Sequence, residues 1–377
     1  MNLPFKGLTW DHPRGFNALD KAGREAGQIQ WHKQPLEGFE SAPIAELCAA
    51  YDMVVLDHPH IGEAVAEGCL TRLETVFAAD ALDAIAAATI GSCFRSYEMD
   101  GSHWALPLDA ASQVMAWQPA HIEQEVETWS QVAEFARLSG QVALSLAGPH
   151  AILSLMSIAA SLDETLDLGN GGWIPDETCR AAFDLMQSVH AHANRAAFDQ
   201  NPIGILEEMS RGDHILLCPL IYGYVNYSAR SANEAVSFRN APRARVGGRP
   251  GSILGGTGIG ISAGCTITPE LTAHLLWLMS PPVQTSFIPA HDGQPSARAA
   301  WSARGVNADV RDFYSATAET LETATLRPRH DGYIGFQAKA SAYVRDALER
   351  RKSTSRVARD LVEMFTKSLP HPERTAT

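Results

Sequence analysis

The chain has 377 residues, of which 45% are hydrophobic, so it is long enough to form two domains with separate cores. Its 43 acidic residues outnumber the 30 lysines and arginines and give a formal net charge of −13. This charge argues against nucleic acid or an acidic membrane surface as a partner. Six cysteines lie far apart without a Cys-x-x-Cys pair, so we expect buried thiols, no disulfide framework and no structural metal.

The start of the chain and its most apolar stretch bear on where the protein acts. Met1 leads almost directly into the first predicted strand without the pattern of a signal peptide. We therefore expect either a cytoplasmic protein or one whose leader has been removed. Residues 142–162 are strongly apolar, but Gly148, Pro149 and His150 interrupt them, which predicts a strand, a turn and a buried helix and no membrane insertion.

Strands and helices alternate through the first part of the sequence, a pattern typical of a parallel sheet covered by helices on both faces. The predicted strands are 5–10, 28–34 and 52–57, and the predicted helices are 13–27, 41–51 and 61–68. Asp100-Gly101 then lies between two β-prone arms, which is a strong hairpin signal. A further strand at 111–119 leads into a second region.

The second region continues this alternation and ends in helices. Strands are predicted at 141–148, 214–227 and 253–262, and helices at 130–140, 151–162, 178–196, 203–211, 270–280, 310–324, 333–351 and 355–365. The segment 239–252 is rich in arginine, glycine and proline and is interpreted as a mobile, solvated basic loop. Residues 371–377 are predicted to be a flexible tail.

One short motif occurs twice. Asp11-His12-Pro13 follows the first predicted strand, and Asp57-His58-Pro59 follows the third. The carboxyl ends of parallel strands meet at one edge of a sheet, where ligands bind. If the two strands are neighbours, their loops together present Trp10, Asp11, His12, Arg14, Asp57, His58 and His60. The alternative is that each motif only caps a helix, since a polar side chain before proline is a good helix start.

Five segments, in order along the chain, carry a family resemblance. They are GLTWDHPRGF at 7–16, YDMVVLDHPHIG at 51–62, YEMDGSHWALPLDAASQVMAW at 97–117, EMSRGDHILLCPLIYGYVNY at 208–227 and the Gly-rich strand with its following helix at 255–301. This order resembles the extracellular solute-binding proteins of family 1, the maltose-binding-like receptors of bacterial ABC importers, over nearly the whole chain. Each segment alone is weakly specific, and their order is the strong part.

The resemblance implies an α/β fold of the type II periplasmic-binding-protein kind. Each of two lobes would be a mixed or parallel sheet flanked by helices, with a small ligand held in the interlobe cleft by hinge closure. Lobe one would be residues 1–110 plus 256–302, and lobe two would be 111–255 plus 303–370. The resemblance also implies a periplasmic monomer that serves an ABC permease and holds no cofactor.

Carried over position by position, the resemblance implies a ligand site. Its residues would be Trp10, Asp11, His12, Arg14, Asp57, His58, His60, Asp109, His150, Trp173, Tyr222, Tyr224 and Phe336. Carboxylates and imidazoles suit the hydroxyl groups of a sugar, and aromatic rings cover its apolar faces. Because Arg14 offers a bidentate contact to a carboxylate, the favoured hypothesis is a sugar acid or another hydroxylated or aromatic carboxylate.

Metal binding, nucleotide binding and catalysis are alternative functions for these residues and for the Gly-rich run at 255–260. His12, Asp57, His58 and His60 are metal-ligand residue types, but histidines in such loops more often make hydrogen bonds, so no metal is expected. The run GGTGIG at 255–260 lacks the lysine of a nucleotide loop and is interpreted as a strand with close backbone approach. An intracellular enzyme on the same fold stays open as an alternative, a hydrolase or transferase that uses Asp109 with His58 or His150 as an acid–base pair.

Overall fold

The computed structural model describes residues 4–122, 125–212, 214–229 and 236–370, so the predicted tail at 371–377 lies outside the described residues. The strands in this part of the chain are β1 (Phe5–Trp10), β2 (Ile29–Gln34), β3 (Met53–Leu56), β4 (Glu98–Met99), β5 (Ser102–His103), β6 (Leu106–Trp117), β7 (Leu217–Tyr222), β8 (Ser237–Arg239) and β9 (Leu254–Ile261). The first eight helices are α1 (Pro13–Glu25), α2 (Leu36–Ser41), α3 (Ile44–Ala50), α4 (Ile61–Ala66), α5 (Ala79–Ala88), α6 (Trp129–Ser139), α7 (His150–Leu162) and α8 (Asp176–His190). The later helices are α9 (Pro202–Met209), α10 (Pro269–Met279), α11 (Ile288–Ala290), α12 (Arg298–Ser302), α13 (Arg304–Ala308), α14 (Phe313–Glu322), α15 (Tyr333–Glu349) and α16 (Thr354–Ser368).

These elements form two compact units. Unit 1 consists of the described residues of Met1–Ala111, Gly255–Ala308 and Arg329–Asp331, and unit 2 consists of those of Ser112–Leu254, Asp309–Pro328 and Gly332–Thr377. The chain therefore passes from one unit to the other within β6 and again at the start of β9.

Unit 1 is built on a mixed sheet. β1 pairs with β2 and with β3 in parallel, and β9 pairs with β3 antiparallel, so that Met53 lies opposite Ile261. The Asp100-Gly101 hairpin joins β4 to β5, and both turn residues have positive φ angles, 53° and 70°, as a tight two-residue turn requires. Apolar residues of β1, β3, β9 and α10 fill the core beside this sheet.

Unit 2 is mainly helical. Its part of β6 pairs antiparallel with β7 and with β8. Helix α7 is buried along nearly its whole length, because its sequence consists mostly of apolar residues and serines. Helices α8 and α15 pack against it, and α16 packs against both of those helices. The long periodic segments thus became helices as predicted, at α7, α8, α14, α15 and α16.

One predicted strand is wrong. Residues 141–148 form no strand and make only a single parallel bridge, between Val142 and Leu217. The apolar residues there are buried in the core of unit 2 instead, so their hydrophobicity reflects burial rather than sheet formation. None of the helices in the described parts of the chain is both long enough and apolar enough to span a membrane.

The basic loop predicted at 239–252 is held in place by specific contacts within unit 2. Arg243 pairs with Glu319 at 2.6 Å and with Glu127 at 3.1 Å. The Arg249 side chain donates to the Glu164 carbonyl oxygen at 2.9 Å. The expectation of a solvated loop is therefore wrong for Arg243 and Arg249, whose side chains bind groups distant in sequence, whereas residues 244–247 are exposed as predicted.

Candidate functional site

The loops that follow β1 and β3 start at the same edge of the unit 1 sheet. β1 pairs with β3 in parallel, with Gly7 opposite Met53. Continued to the strand ends, this register sets Asp11 level with Asp57. The prediction that the two Asp-His-Pro loops follow neighbouring strands is therefore confirmed.

Each motif also caps a helical turn, but with a different residue. His12 is the N-cap of α1, and its Nδ1 accepts a hydrogen bond from the Arg14 N–H at 3.1 Å. In the second motif, Asp57 caps the 3₁₀ turn His58–His60 and accepts from the His58 N–H at 2.9 Å. Both motifs therefore cap a helical turn. Capping fixes the orientation of each loop, and it is compatible with ligand binding by the remaining polar atoms.

Arg14 and Asp109 form a buried ion pair. The Arg14 Nε donates to Asp109 Oδ2 at 2.8 Å, and a terminal guanidinium nitrogen of Arg14 pairs with Oδ1. The two side chains are only 5% and 4% exposed. This pairing argues against the hypothesis that Arg14 takes a ligand carboxylate bidentately, because Asp109 already occupies that face of the guanidinium. It also argues against Asp109 as an acid–base group, since both carboxylate oxygens accept from Arg14.

Trp10 and Asp11 have contacts that account for them structurally. The Trp10 ring is buried in the core of unit 1, 5.2 Å from the Phe39 ring, and lies so close to Gly15 that a Cβ there would be 2.4 Å from it. Asp11 is exposed and forms an ion pair with Lys33 at 2.9 Å. Core packing therefore accounts for Trp10, and a surface ion pair accounts for Asp11. Neither residue needs a ligand to explain its position.

The His12 imidazole of unit 1 is held in its neutral form. Burial, and then the charge of Arg14, lower the pKa of His12 to about 4, although Asp292 and Asp11 oppose this. Because its Nδ1 accepts a hydrogen bond, the neutral His12 ring carries its proton on Nε2. His58 and His60 are also buried, and the His58 Nδ1 lies 3.3 Å from the Asp57 carboxylate. With its Nδ1 engaged as the cap, the His12 ring has its Nε2–H as a donor, which suits a hydroxyl oxygen.

A second polar cluster lies in unit 2, at the N-terminus of α7. The ring of His150 meets Tyr222 edge-on, with 5.9 Å between the centroids. Burial, and then the charge of Arg327, lower the pKa of His150 to about 3. Arg327 is itself buried and donates to the Gln337 Oε1 at 3.2 Å. This cluster therefore combines a neutral imidazole, a phenol and a buried guanidinium.

The other aromatic candidates in unit 2 have packing roles. Trp173 stacks on Phe365 at 4.8 Å and meets Phe336 edge-on at 5.0 Å, and Phe336 is buried in the core of unit 2. Tyr224 is buried as well, with its ring 6.5 Å from that of Tyr227. Trp173 and Phe336 are therefore core residues, and of the predicted unit 2 residues His150 and Tyr222 carry the polar chemistry.

Arg327 and Gln337 are not among the site residues predicted from the sequence. Arg327 precedes Pro328 in the short break between α14 and α15, and a buried arginine there has no local signature. Among the described residues, no group of three or more His, Cys, Asp or Glu side chains is arranged to hold a metal ion.

Comparison with solved structures identifies the fold. A solute-binding protein of an ABC transporter from Agrobacterium radiobacter, in complex with ribitol, has a TM-score of 0.76 and 19% identity, with 97% of each chain covered. UgpB from Mycobacterium tuberculosis, in complex with glycerophosphocholine, has a TM-score of 0.75 and 15% identity, with 98% of each chain covered. Maltose-bound MalE3 of T. maritima has a TM-score of 0.74 and 14% identity, with 97% of this chain and 99% of that chain covered.

These likenesses show that the chain has the fold of ABC transporter solute-binding proteins, as predicted from the sequence. No protein-family model matches the sequence, and no curated protein matches it.

Proposed function

We propose that this protein is a solute-binding receptor that captures a small hydroxylated molecule for an ABC importer. The observation that carries the proposal is the likeness of the whole chain to solute-binding proteins solved with ribitol, maltose and glycerophosphocholine. Each of these ligands presents at least two hydroxyl groups. In the same proposal the receptor acts outside the cytoplasm as a monomer and delivers its ligand to a permease.

The polar residues of the strand-end loops of unit 1 and those of the His150 cluster of unit 2 each favour a neutral polyol or sugar. His12 and His150 have pKa values lowered to about 4 and about 3, so both rings are uncharged at neutral pH and suit hydroxyl groups. Arg14, the charged group that favoured an acidic ligand, is paired with Asp109. Arg327 in unit 2 still favours an electronegative group on the ligand, such as an additional hydroxyl or a phosphodiester oxygen.

A thermal-shift screen tests the proposal. The screen uses ribitol, mannitol, maltose, glycerophosphocholine and a sugar acid, and titration calorimetry follows for each compound that raises the melting temperature. A ligand at about 100 times its dissociation constant adds about 2.7 kcal/mol of stability. We expect a shift with at least one neutral polyol or sugar and a smaller one with the sugar acid. Absence of any shift across the panel would contradict the proposal.

Two variants test the polar residues of the two units, each unit by itself. His60→Gln removes an imidazole of unit 1, and Tyr222→Phe removes one hydroxyl group of unit 2. His192→Gln is the matched control, because His192 is exposed. We expect each of the first two variants to weaken binding of the ligand found in the screen by about 1–3 kcal/mol. The control should leave the affinity unchanged. An affinity equal to that of the wild type in all three variants would exclude His60 and Tyr222 as ligand-binding residues. Mass spectrometry showing conversion of the ligand would favour the enzyme alternative.

A further inference from the structure

One buried hydroxyl group of the unit 1 sheet has no role in the proposed function. Thr257 lies in β9 and is 4% exposed, and its Oγ1 has no hydrogen-bond partner among the described residues. Other buried hydroxyl groups of this sheet are bound. The Thr9 hydroxyl donates to the Gly15 carbonyl at 2.9 Å, and the Ser262 hydroxyl donates to the Tyr51 carbonyl at 2.6 Å. Because a buried polar group without a partner is costly, the Thr257 hydroxyl calls for an explanation.

Strand pairing places Thr257 beside the second Asp-His-Pro loop. β9 runs antiparallel to β3, and the last pair of residues in their register is Leu56 opposite Gly258. Asp57 also has an extended backbone, so the next pair in this register is Asp57 opposite Thr257. Residues opposite each other in an antiparallel pair lie on the same face of the sheet, with Cβ atoms about 4.5–5.5 Å apart. Thr257 therefore lies at the sheet edge from which the loops of β1 and β3 leave.

The Thr257 side chain lies on the face of the sheet that α1 covers. Alternate residues of a strand point to the same face, so Thr257 shares its face with Ile259. Ile259 belongs to the core cluster that also contains Leu19 of α1. The first turn of α1 lies against β1, because the Thr9 hydroxyl donates to the Gly15 carbonyl. The Thr257 hydroxyl is therefore on the side of the sheet where α1 begins, one step closer to the loops than Ile259.

The acids on either side of Thr257 are bound by other groups. β9 lies between β3 and β6, and a Cβ on Gly256 would overlap the Asp109 carbonyl of β6. The Asp109 carboxylate accepts from Arg14 with both oxygens. On the other side, the Asp57 carboxylate accepts from a backbone N–H. Gly256 is partly exposed, so solvent reaches the chain directly before Thr257.

We propose that Thr257 is a ligand-binding residue of unit 1, whose hydroxyl group forms a hydrogen bond with a hydroxyl group of the bound solute. The proposal rests on the proposed function, and it adds a residue that no motif of the sequence marks. A threonine hydroxyl both donates and accepts hydrogen bonds, as the hydroxyl group of a polyol or sugar does. Because burial has already removed the Thr257 hydroxyl from water, its bond to a ligand is not offset by the loss of a bond to water.

Urea unfolding without ligand first tests whether the hydroxyl has a partner within the protein. Thr257→Val keeps the β-branched shape and replaces the hydroxyl by a methyl group. Because no hydrogen bond is lost, we expect its urea midpoint to equal or exceed that of the wild type. Thr9→Val is the matched control, since the same change removes the bond to the Gly15 carbonyl and should lower the midpoint. A midpoint of Thr257→Val below that of the wild type would overturn the proposal.

Titration calorimetry then tests the contact with the ligand. The probes are the compounds of the thermal-shift panel: ribitol, mannitol, maltose, glycerophosphocholine and the sugar acid. Each probe that binds the wild type is titrated into Thr257→Val and Thr257→Ser. We expect binding to be weaker by about tenfold or more for Thr257→Val, which lacks the hydroxyl. Thr257→Ser keeps the hydroxyl and should bind within about threefold of the wild type.

The outcomes separate this proposal from the proposed function. Equal affinity of the wild type and Thr257→Val would overturn the role of Thr257 and leave the proposed function in place. An equal loss in Thr257→Val and Thr257→Ser would also overturn that role, because the methyl group and not the hydroxyl would then be responsible. A wild type that binds none of the probes would overturn both proposals, and the wild-type titration alone shows this.

Discussion

Removal of one partner of the Arg14–Asp109 pair gives the sharpest test of how unit 1 is built. Asp109→Ala leaves the guanidinium of Arg14 in a site where its side chain is only 5% exposed. It also removes the acceptors of two charged hydrogen bonds, one of them 2.8 Å long. Breaking a buried ion pair in this way costs about 3–5 kcal/mol, so we expect a loss of that size in the free energy of unfolding.

The charge, and not the shape, should cause most of this loss. The double variant Arg14→Met with Asp109→Leu removes both charges and keeps apolar side chains of similar length. Because the desolvation penalty of the pair then disappears, we expect it to lie within about 1–2 kcal/mol of the wild type. Lys33→Ala, in β2, is the matched control, since it breaks the exposed Asp11–Lys33 pair and should cost less than about 1 kcal/mol.

Urea unfolding, followed by circular dichroism and tryptophan fluorescence, measures all four proteins. The expected order of midpoints is wild type, Lys33→Ala, the double variant and then Asp109→Ala. A loss below about 1 kcal/mol for Asp109→Ala would refute the assignment of a buried, mutually neutralising pair, because an exposed pair contributes no more than that. A double variant as unstable as Asp109→Ala would show that packing, and not charge, explains the loss.

Three further predictions follow from other contacts. The pKa of His12 is lowered to about 4 in the folded chain and is 6.5 in the unfolded chain. Between these two values the unfolded chain binds a proton that the folded chain does not bind. The free energy of unfolding should therefore fall as the pH drops from 6.5 towards 4, by up to about 3 kcal/mol from this group. His12→Asn, which keeps the cap, should flatten that part of the pH–stability curve, and an unchanged curve would contradict the pKa shift. Gly251→Ala places a Cβ 2.3 Å from backbone atoms of α7 and should lower the free energy of unfolding by about 1–3 kcal/mol or more. Gly335→Ala is the control, because a Cβ there has nothing within 4 Å and should stabilise α15 by about 0.5–1 kcal/mol. Equal urea midpoints for the two variants would refute the close approach at Gly251. Gln113→Leu leaves the Ser157 hydroxyl without its 2.6 Å acceptor and should cost about 1–3 kcal/mol in urea unfolding, and a stabilised variant would show that this buried network is not needed.

Local sequence patterns predicted much of the fold because many elements of this chain are locally encoded. The Asp100-Gly101 turn takes the positive φ angles that its residues favour. The run GGTGIG became β9, as predicted, and Gly256 has a φ of 90° with the Asp109 carbonyl 2.2 Å from where a Cβ would lie. A strand that needs glycine for close backbone approach is therefore recognisable from its composition.

Contacts between distant residues account for what the sequence analysis missed. Arg14 and Asp109 are 95 positions apart, and no local pattern indicates that one neutralises the other. Each residue alone suits a ligand, so both were predicted as ligand-binding residues. The arginines of 239–252 likewise seemed solvated because their acidic partners, such as Glu319, come from other segments. Charged residues in loops are thus poorly assigned until their partners are known.

The repeated motif shows how the same three residues acquire two roles. In the first copy His12 is the N-cap of α1, and in the second copy Asp57 is the N-cap of the turn. His58 is therefore the first residue inside its turn, and its side chain is buried. This difference in capping matters for ligand recognition. The Asp57 carboxylate accepts a hydrogen bond from a backbone N–H, and the Asp11 carboxylate pairs with Lys33 at the surface. With both acids and Arg14 engaged by protein groups, imidazoles are the polar groups of these loops best suited to a ligand. The His12 imidazole, kept neutral chiefly by burial, favours hydroxyl groups over carboxylates. This is the physical reason for placing polyols and sugars ahead of acids in the proposed ligand class.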